Sequence, residues 1–171
     1  RLFAVAWVCD RPAVSIRRHR FMTLSLDNLV ELGTIDRALE SFLGAAVRAR
    51  QQIIVAGATG AGKTTMLRAL AAEVQPSERI VTIETELELG LDRFAEVHPD
   101  CVALEARDAN VEGAGEVTAA DLVRMSLRMN PDRVIVGEVR GAEVIPMLNA
   151  MSQGNDGSMC TIHASSSEGV V

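Results

Sequence analysis

The sequence predicts an α/β domain built around a mostly parallel sheet, and two observations carry that prediction. From Gln51 onward, short apolar segments rich in β-branched residues alternate with segments of helical periodicity. Such alternation implies parallel strands joined by right-handed crossovers. In addition, the apolar run "IIVAG" leads directly into "GATGAGKTT", Gly57 to Thr65, a glycine-rich turn that opens a helix.

The elements follow in order. "LFAVAWV" and "AVSIRR" flank an Asp-Arg-Pro turn and read as two strands of a small N-terminal element. "LSLDNLVELG" reads as a short helix closed by Gly33. Thr34 is placed to cap a helix through Arg50, with Ile35, Leu39, Leu43, Ala46 and Val47 at helical spacing. "IIVAG" is a strand expected to be buried on both faces, and the helix from Lys63 runs to about Val74, before Pro76. "RIVTIE" and "CVALEA" are the next two strands, while "NVEGAGEV" is too glycine-rich to be regular. Thr118 caps "AADLVRMSLRMN", which Pro131 ends. "RVIVGE" is a buried strand, "AEVIPMLNAMSQ" a helix and "SMCTIHA" a final strand.

Composition narrows the function classes. A chain of 171 residues accommodates one domain of ordinary size. Its net charge of −6 argues against a general nucleic-acid coat, which needs surplus Lys and Arg to neutralise phosphates. "SIRRHR", Ser15 to Arg20, is a local exception. It reads either as a solvated strand end or as a basic edge facing nucleotide phosphates or an acidic partner. Cys9, Cys101 and Cys160 lack metal-ligand spacing and are expected as small core residues in a reducing compartment. No apolar run approaches bilayer-spanning length, and the opening "RLFAVAWVCD" lacks the features of a signal peptide.

Gly57, Gly62, Lys63 and Thr64 satisfy the phosphate-binding pattern G-x-x-x-x-G-K-S/T. Glycines let the backbone curl with its N–H groups facing the phosphates, at the positive end of the following helix. Gly57, Ala58, Thr59, Gly60, Ala61, Gly62, Lys63, Thr64 and Thr65 form the expected nucleotide grip. Lys63 is expected to reach the β- and γ-phosphates of ATP, and the Thr64 hydroxyl to ligate Mg²⁺.

Hydrolysis also needs a carboxylate at a strand end, near the metal and the attacking water. Glu138 in "VIVGE" is that candidate, acting alone through the metal's water shell because Gly137 stands at the usual aspartate position. Glu84 in "VTIETELEL" ends a neighbouring strand and is a second candidate for polarising water; Glu86 and Glu88 read as an exposed acidic turn. His163 ends "GSMCTIHA" on the same expected sheet edge, which favours a catalytic role over that of a satisfied polar residue.

Together "GATGAGKTT", "VTIETELEL", "LVRMSLRMNPDRVIVGEVRGAE" and "NAMSQGNDGSMCTIHA" resemble the type II/IV secretion-system ATPases, and most of all the branch serving Tad/Flp-type pilus assembly. The resemblance implies a RecA-like core with an acidic box starting at Glu84, an atypical Walker B from Val134 to Glu138, and a His box from Gly154 to His163. It also implies a homo-hexameric ATP-hydrolysing motor that works with pilus or secretion platform proteins at the cytoplasmic face of the inner membrane. Arginines that sense phosphate, near the domain linker and on neighbouring subunits, are expected among Arg17, Arg18, Arg107, Arg128, Arg133 and Arg140. Two departures stand out: Thr85 where the acidic box has aspartate, and Asn155 in place of a common histidine. Residues 1–33 are expected to be the end of an N-terminal domain and its linker. Residues 34–171 are expected to be the ATPase domain, truncated at its C-terminus. A P-loop kinase, a non-catalytic nucleotide-gated assembly module and a conjugative DNA-transfer ATPase are the rival readings.

Overall fold

The computed structural model describes residues 2–16, 23–139, 141, 144–152 and 154–164. Two strands, β1 (Leu2–Val5) and β2 (Ala13–Ile16), form an antiparallel ribbon as expected. The ribbon carries Cys9 in its turn, and Cys9 is exposed, contrary to the core position predicted for it. A two-stranded ribbon has no second layer to bury a small side chain. Cys160 is buried and Cys101 half-buried, and burial pushes their thiols up to about 11 and about 12.

Helix α1 (Leu26–Glu31) starts with a capping box between Ser25 and Asn28 and ends at Gly33, whose φ of +70° suits glycine. Thr34 is not the next cap. Its N–H donates to the Leu29 carbonyl at 2.8 Å and so closes α1. The cap of α2 (Arg37–Arg48) is Asp36, whose carboxylate accepts from the Leu39 N–H. The remaining elements are β3 (Ile53–Gly57), α3 (Lys63–Ala71), β4 (Ile80–Glu84), β5 (Cys101–Glu105), α4 (Ala119–Ser126), β6 (Arg133–Val139), α5 (Val144–Ser152) and β7 (Met159–His163). The helix predicted up to Asn130 is split: Thr118 caps α4 as expected, and a 3-10 turn, Leu127–Met129, finishes the run.

Strands β3 to β7 form a five-stranded sheet in the order β3-β7-β6-β4-β5, with every pairing parallel. The two-residue period of the strands divides the core between the two faces. Ile80, Ile135 and Met159 pack with Val47, Leu67 and Leu70 on the face covered by α1, α2 and α3. Val81, Ile83, Val134, Val136 and Cys160 pack with Leu122, Val123 and Met147 of α4 and α5 on the other. Each fully buried Leu or Ile contributes about 1.5–3 kcal/mol. Strand β3 departs from expectation. It lies at the sheet edge among the described residues, and its alternate residues Ile54 and Ala56 are exposed rather than buried. An apolar run cannot by itself reveal that one of its faces lacks a covering helix.

Candidate functional site

Strand parity decides which side chains meet. Glu84 lies two-residue steps from Ile80, Gly137 from Ile135, and His163 from Met159, so all three belong to the face that carries α3. Each stands at or near the C-terminal end of its strand, the edge where parallel sheets open onto their ligands. Glu138 has the opposite parity. A register shift between Val136 and Val139 inserts one extra residue in β6 against β7, and this bulge re-aims the local chain.

The glycine turn between β3 and α3 has the backbone the motif demands. Gly60 and Gly62 adopt φ values of +76° and +92°, a region that other residues enter only with strain. Gly62 caps α3 without a side chain, so the helix opens on bare N–H groups. The ammonium of Lys63 donates to the Gly57 and Ala58 carbonyls, at 3.0 Å each, and lies 3.3 Å from His163 Nδ1. Three protons therefore meet three acceptors. With Nδ1 accepting, the imidazole proton sits on Nε2, and that nitrogen contacts the Glu138 carboxylate. Lys63, His163 and Glu138, drawn from three elements, form one connected chain.

Glu84 is 3% exposed and is held differently. Its Oε2 accepts the N–H groups of Glu88 and Leu89 at 2.8 and 2.9 Å, while Oε1 is buried with no hydrogen-bond partner among the described residues. Burial pushes its carboxyl up, against the two backbone donors that pull it down. The segment after Glu84 is thus more than an exposed acidic turn. Glu86 and Glu88 are half-buried, and the chain folds back to cradle the glutamate. Arg68 of α3 holds this segment from outside, donating to the carbonyls of Leu89 and Glu88. Nothing in the linear pattern pointed to Arg68.

The candidate phosphate-sensing arginines separate. Arg133 is 1% exposed at the start of β6, where it donates to Glu78, to the Val47 carbonyl and to the Gly157 carbonyl. At about 3.3 Å of rise per strand residue, it sits roughly 16 Å from the Glu138 end. It lies at the strand's N-terminal edge, away from the glycine turn, and Glu78 neutralises it there. Arg107 and Arg128 are exposed. Arg17, Arg18 and Arg140 lie outside the described residues, as does most of the basic "SIRRHR" stretch.

The donor set fits Mg²⁺ bound chiefly through a nucleotide's phosphates and water. Among the described residues no group of three or more His, Cys, Asp or Glu side chains could hold a metal. Thr64, on the first turn of α3 directly after the glycine turn, nevertheless offers a hard hydroxyl oxygen of the kind that ion takes.

The chain is similar to several known proteins. It is 49% identical over 151 residues to a putative conjugal transfer protein of Mycobacterium tuberculosis, covering 88% of this chain and 42% of that protein. It is 42% identical over 131 residues to the type IV secretion system protein PtlH of Bordetella pertussis, covering 77% of this chain and 38% of that one. The crystal structure of the VirB11 ATPase of the Brucella suis type IV secretion system, in complex with sulphate, matches with a TM-score of 0.66 at 39% identity. That match covers 84% of this chain and 38% of VirB11, and the shared core is the expected RecA-like α/β fold. The chain spans about two fifths of the length of the curated relatives it matches. Residues 5–171 match the family described as Type II/IV secretion system protein, and the chain belongs to that family.

Proposed function

We propose that the protein is an ATP-hydrolysing motor that drives pilin extrusion or protein export in a secretion or pilus-assembly system. The observation that carries this reading is the convergence of Lys63, His163 and Glu138 beside the glycine turn, with Glu84 buried on the same sheet face. In this reading the backbone N–H groups of Gly57 to Thr65 receive the phosphates. Lys63 exchanges its carbonyl acceptors for β- and γ-phosphate oxygens. His163, then released from Lys63, keeps its Nε2 contact and orients Glu138. Glu138 and Glu84 are the carboxylates that polarise the attacking water. Thr64, and Glu138 through water, would hold Mg²⁺, which neutralises charge developing on the phosphates.

The domain division at residues 33 and 34, a homo-hexamer, a seat on platform proteins at the inner face of the cell membrane and the Tad/Flp branch belong to the same proposal. Conjugative transfer of DNA is the second reading. It is favoured by the name of the relative that is 49% identical and opposed by the net charge of −6. Phosphate release by the purified protein, with and without single- or double-stranded DNA, separates the two. Turnover independent of DNA, abolished by Glu138→Gln, is expected. Turnover that requires an added phosphate acceptor would favour a P-loop kinase, and none with or without an acceptor in an otherwise folded protein would favour the nucleotide-gated assembly module.

A further inference from the structure

Arg68 and Glu84 are joined through a shared piece of backbone. The Glu88 carbonyl and the Leu89 N–H are two ends of one peptide group. Arg68 donates to that carbonyl, and that N–H donates to Glu84 Oε2 at 2.9 Å. A cation at one end of an amide polarises it, so its N–H becomes a stronger donor at the other end. Arg68 also binds the next carbonyl, Leu89, at 3.0 Å through Nε, and the Glu88 N–H supplies the second contact to Oε2. Two consecutive residues are therefore gripped by a guanidinium on one side and by a carboxylate on the other. The planar fork of arginine suits two carbonyls at once, which a lysine ammonium matches only in part. Arg68 lies on α3, the helix that begins at Lys63, so whatever moves the phosphate-binding helix also moves the clamp.

We propose that Arg68 is a positioning residue for Glu84. It sets the acidic segment so that Oε2 is consumed by backbone donors and Oε1 remains for the reaction, and it couples that setting to the phosphate-binding helix. The inference rests on the reading of Glu84 as a catalytic carboxylate. A loop staple with no part in the reaction would lower stability alone, so the two roles predict different kinetics.

The test is a double-mutant cycle read by single-turnover ATP hydrolysis, with thermal melts to confirm folding. Arg68→Ala should lower the hydrolysis rate about tenfold or more, as expected for a misplaced group, while the affinity for ATP changes by less than about threefold. Arg68→Lys, which keeps the charge and a donor, should recover part of the rate. It also serves as the readout if Arg68→Ala does not fold. In a Glu84→Gln background, Arg68→Ala should slow hydrolysis by less than about twofold, because the group it positions is already disabled. Equal slowing in both backgrounds would overturn the proposal, as would wild-type hydrolysis by Arg68→Ala alongside an impaired Glu84→Gln. Wild-type hydrolysis by Glu84→Gln itself would instead overturn the catalytic reading of Glu84 on which the proposal stands.

Discussion

The Glu84 side chain lies against the bare backbone of Gly137 on the adjacent strand. A β-carbon placed at Gly137 would stand 2.8 Å from Glu84 Cγ, closer than any real contact tolerates. The glycine at the position where an aspartate was expected is therefore what lets Glu84 occupy its buried seat. Gly137→Ala should displace Glu84 and lower the ATP turnover rate roughly 10²-fold, since about 1 Å of misplacement costs that much. Steady-state phosphate release and a nucleotide-binding isotherm check this. Affinity within a few-fold of wild type is expected, and unchanged turnover would show that Glu84 has room to spare.

Lys63 donates to two carbonyls and to His163. In Lys63→Ala the charge that meets the phosphates is gone, and ATP affinity should fall by about an order of magnitude or more. Titration of a fluorescent ATP analogue is the measurement. Undiminished binding would show that the glycine turn holds phosphate without its lysine.

Glu138→Gln keeps the shape beside His163 and removes the charge. Hydrolysis should drop by about 10²-fold or more while ATP stays bound, the pattern of an interaction made only in the transition state. Should Glu84→Gln abolish turnover and Glu138→Gln spare it, the principal carboxylate is Glu84.

At the opposite edge of the sheet, Arg133 and Arg50 grip Glu78. Burial alone would push the Glu78 carboxyl up, but hydrogen bonds from Arg133 and Arg50 outweigh it and bring it down to about 2 from an ordinary 4.5. The folded value is the lower one, so this pair stabilises the protein above about pH 4.5, and that contribution is lost as pH falls toward 2. Glu78→Gln leaves Arg133 buried without its carboxylate and should cost about 3–5 kcal/mol near neutrality. Urea unfolding across the acid range should show the gap to wild type closing below about pH 4.5. A gap independent of pH would mean that Glu78 is not charged in the folded protein.

Local chemistry was legible in the sequence wherever covalent pattern alone constrains the chain. The phosphate turn needs glycines at positive φ, and Gly60 and Gly62 have them. Each strand predicted from an apolar run exists, and the Thr118 cap and the Gly33 stop are where turn chemistry places them. The Thr34 cap failed because Asp36, two residues on, supplies the carboxylate that accepts the Leu39 N–H, and the sequence offers both residues as caps without deciding between them.

The sequence by itself therefore determined the α/β class, the glycine turn and the list of acids and the histidine proposed to serve it. Only the tertiary structure decided how they are arranged. Parity and strand order brought Glu84, Gly137 and His163 to one face, and a bulge in β6 gave Glu138 its place beside His163. Arg133 was sent to the far edge by a partner 55 residues away, and Arg68 reached the acidic segment 20 residues on. The physical reason is the range of the forces involved. Backbone dihedrals and side-chain periodicity act over a few residues and are written locally, whereas pairing between buried charges and polar groups depends on which strands become neighbours.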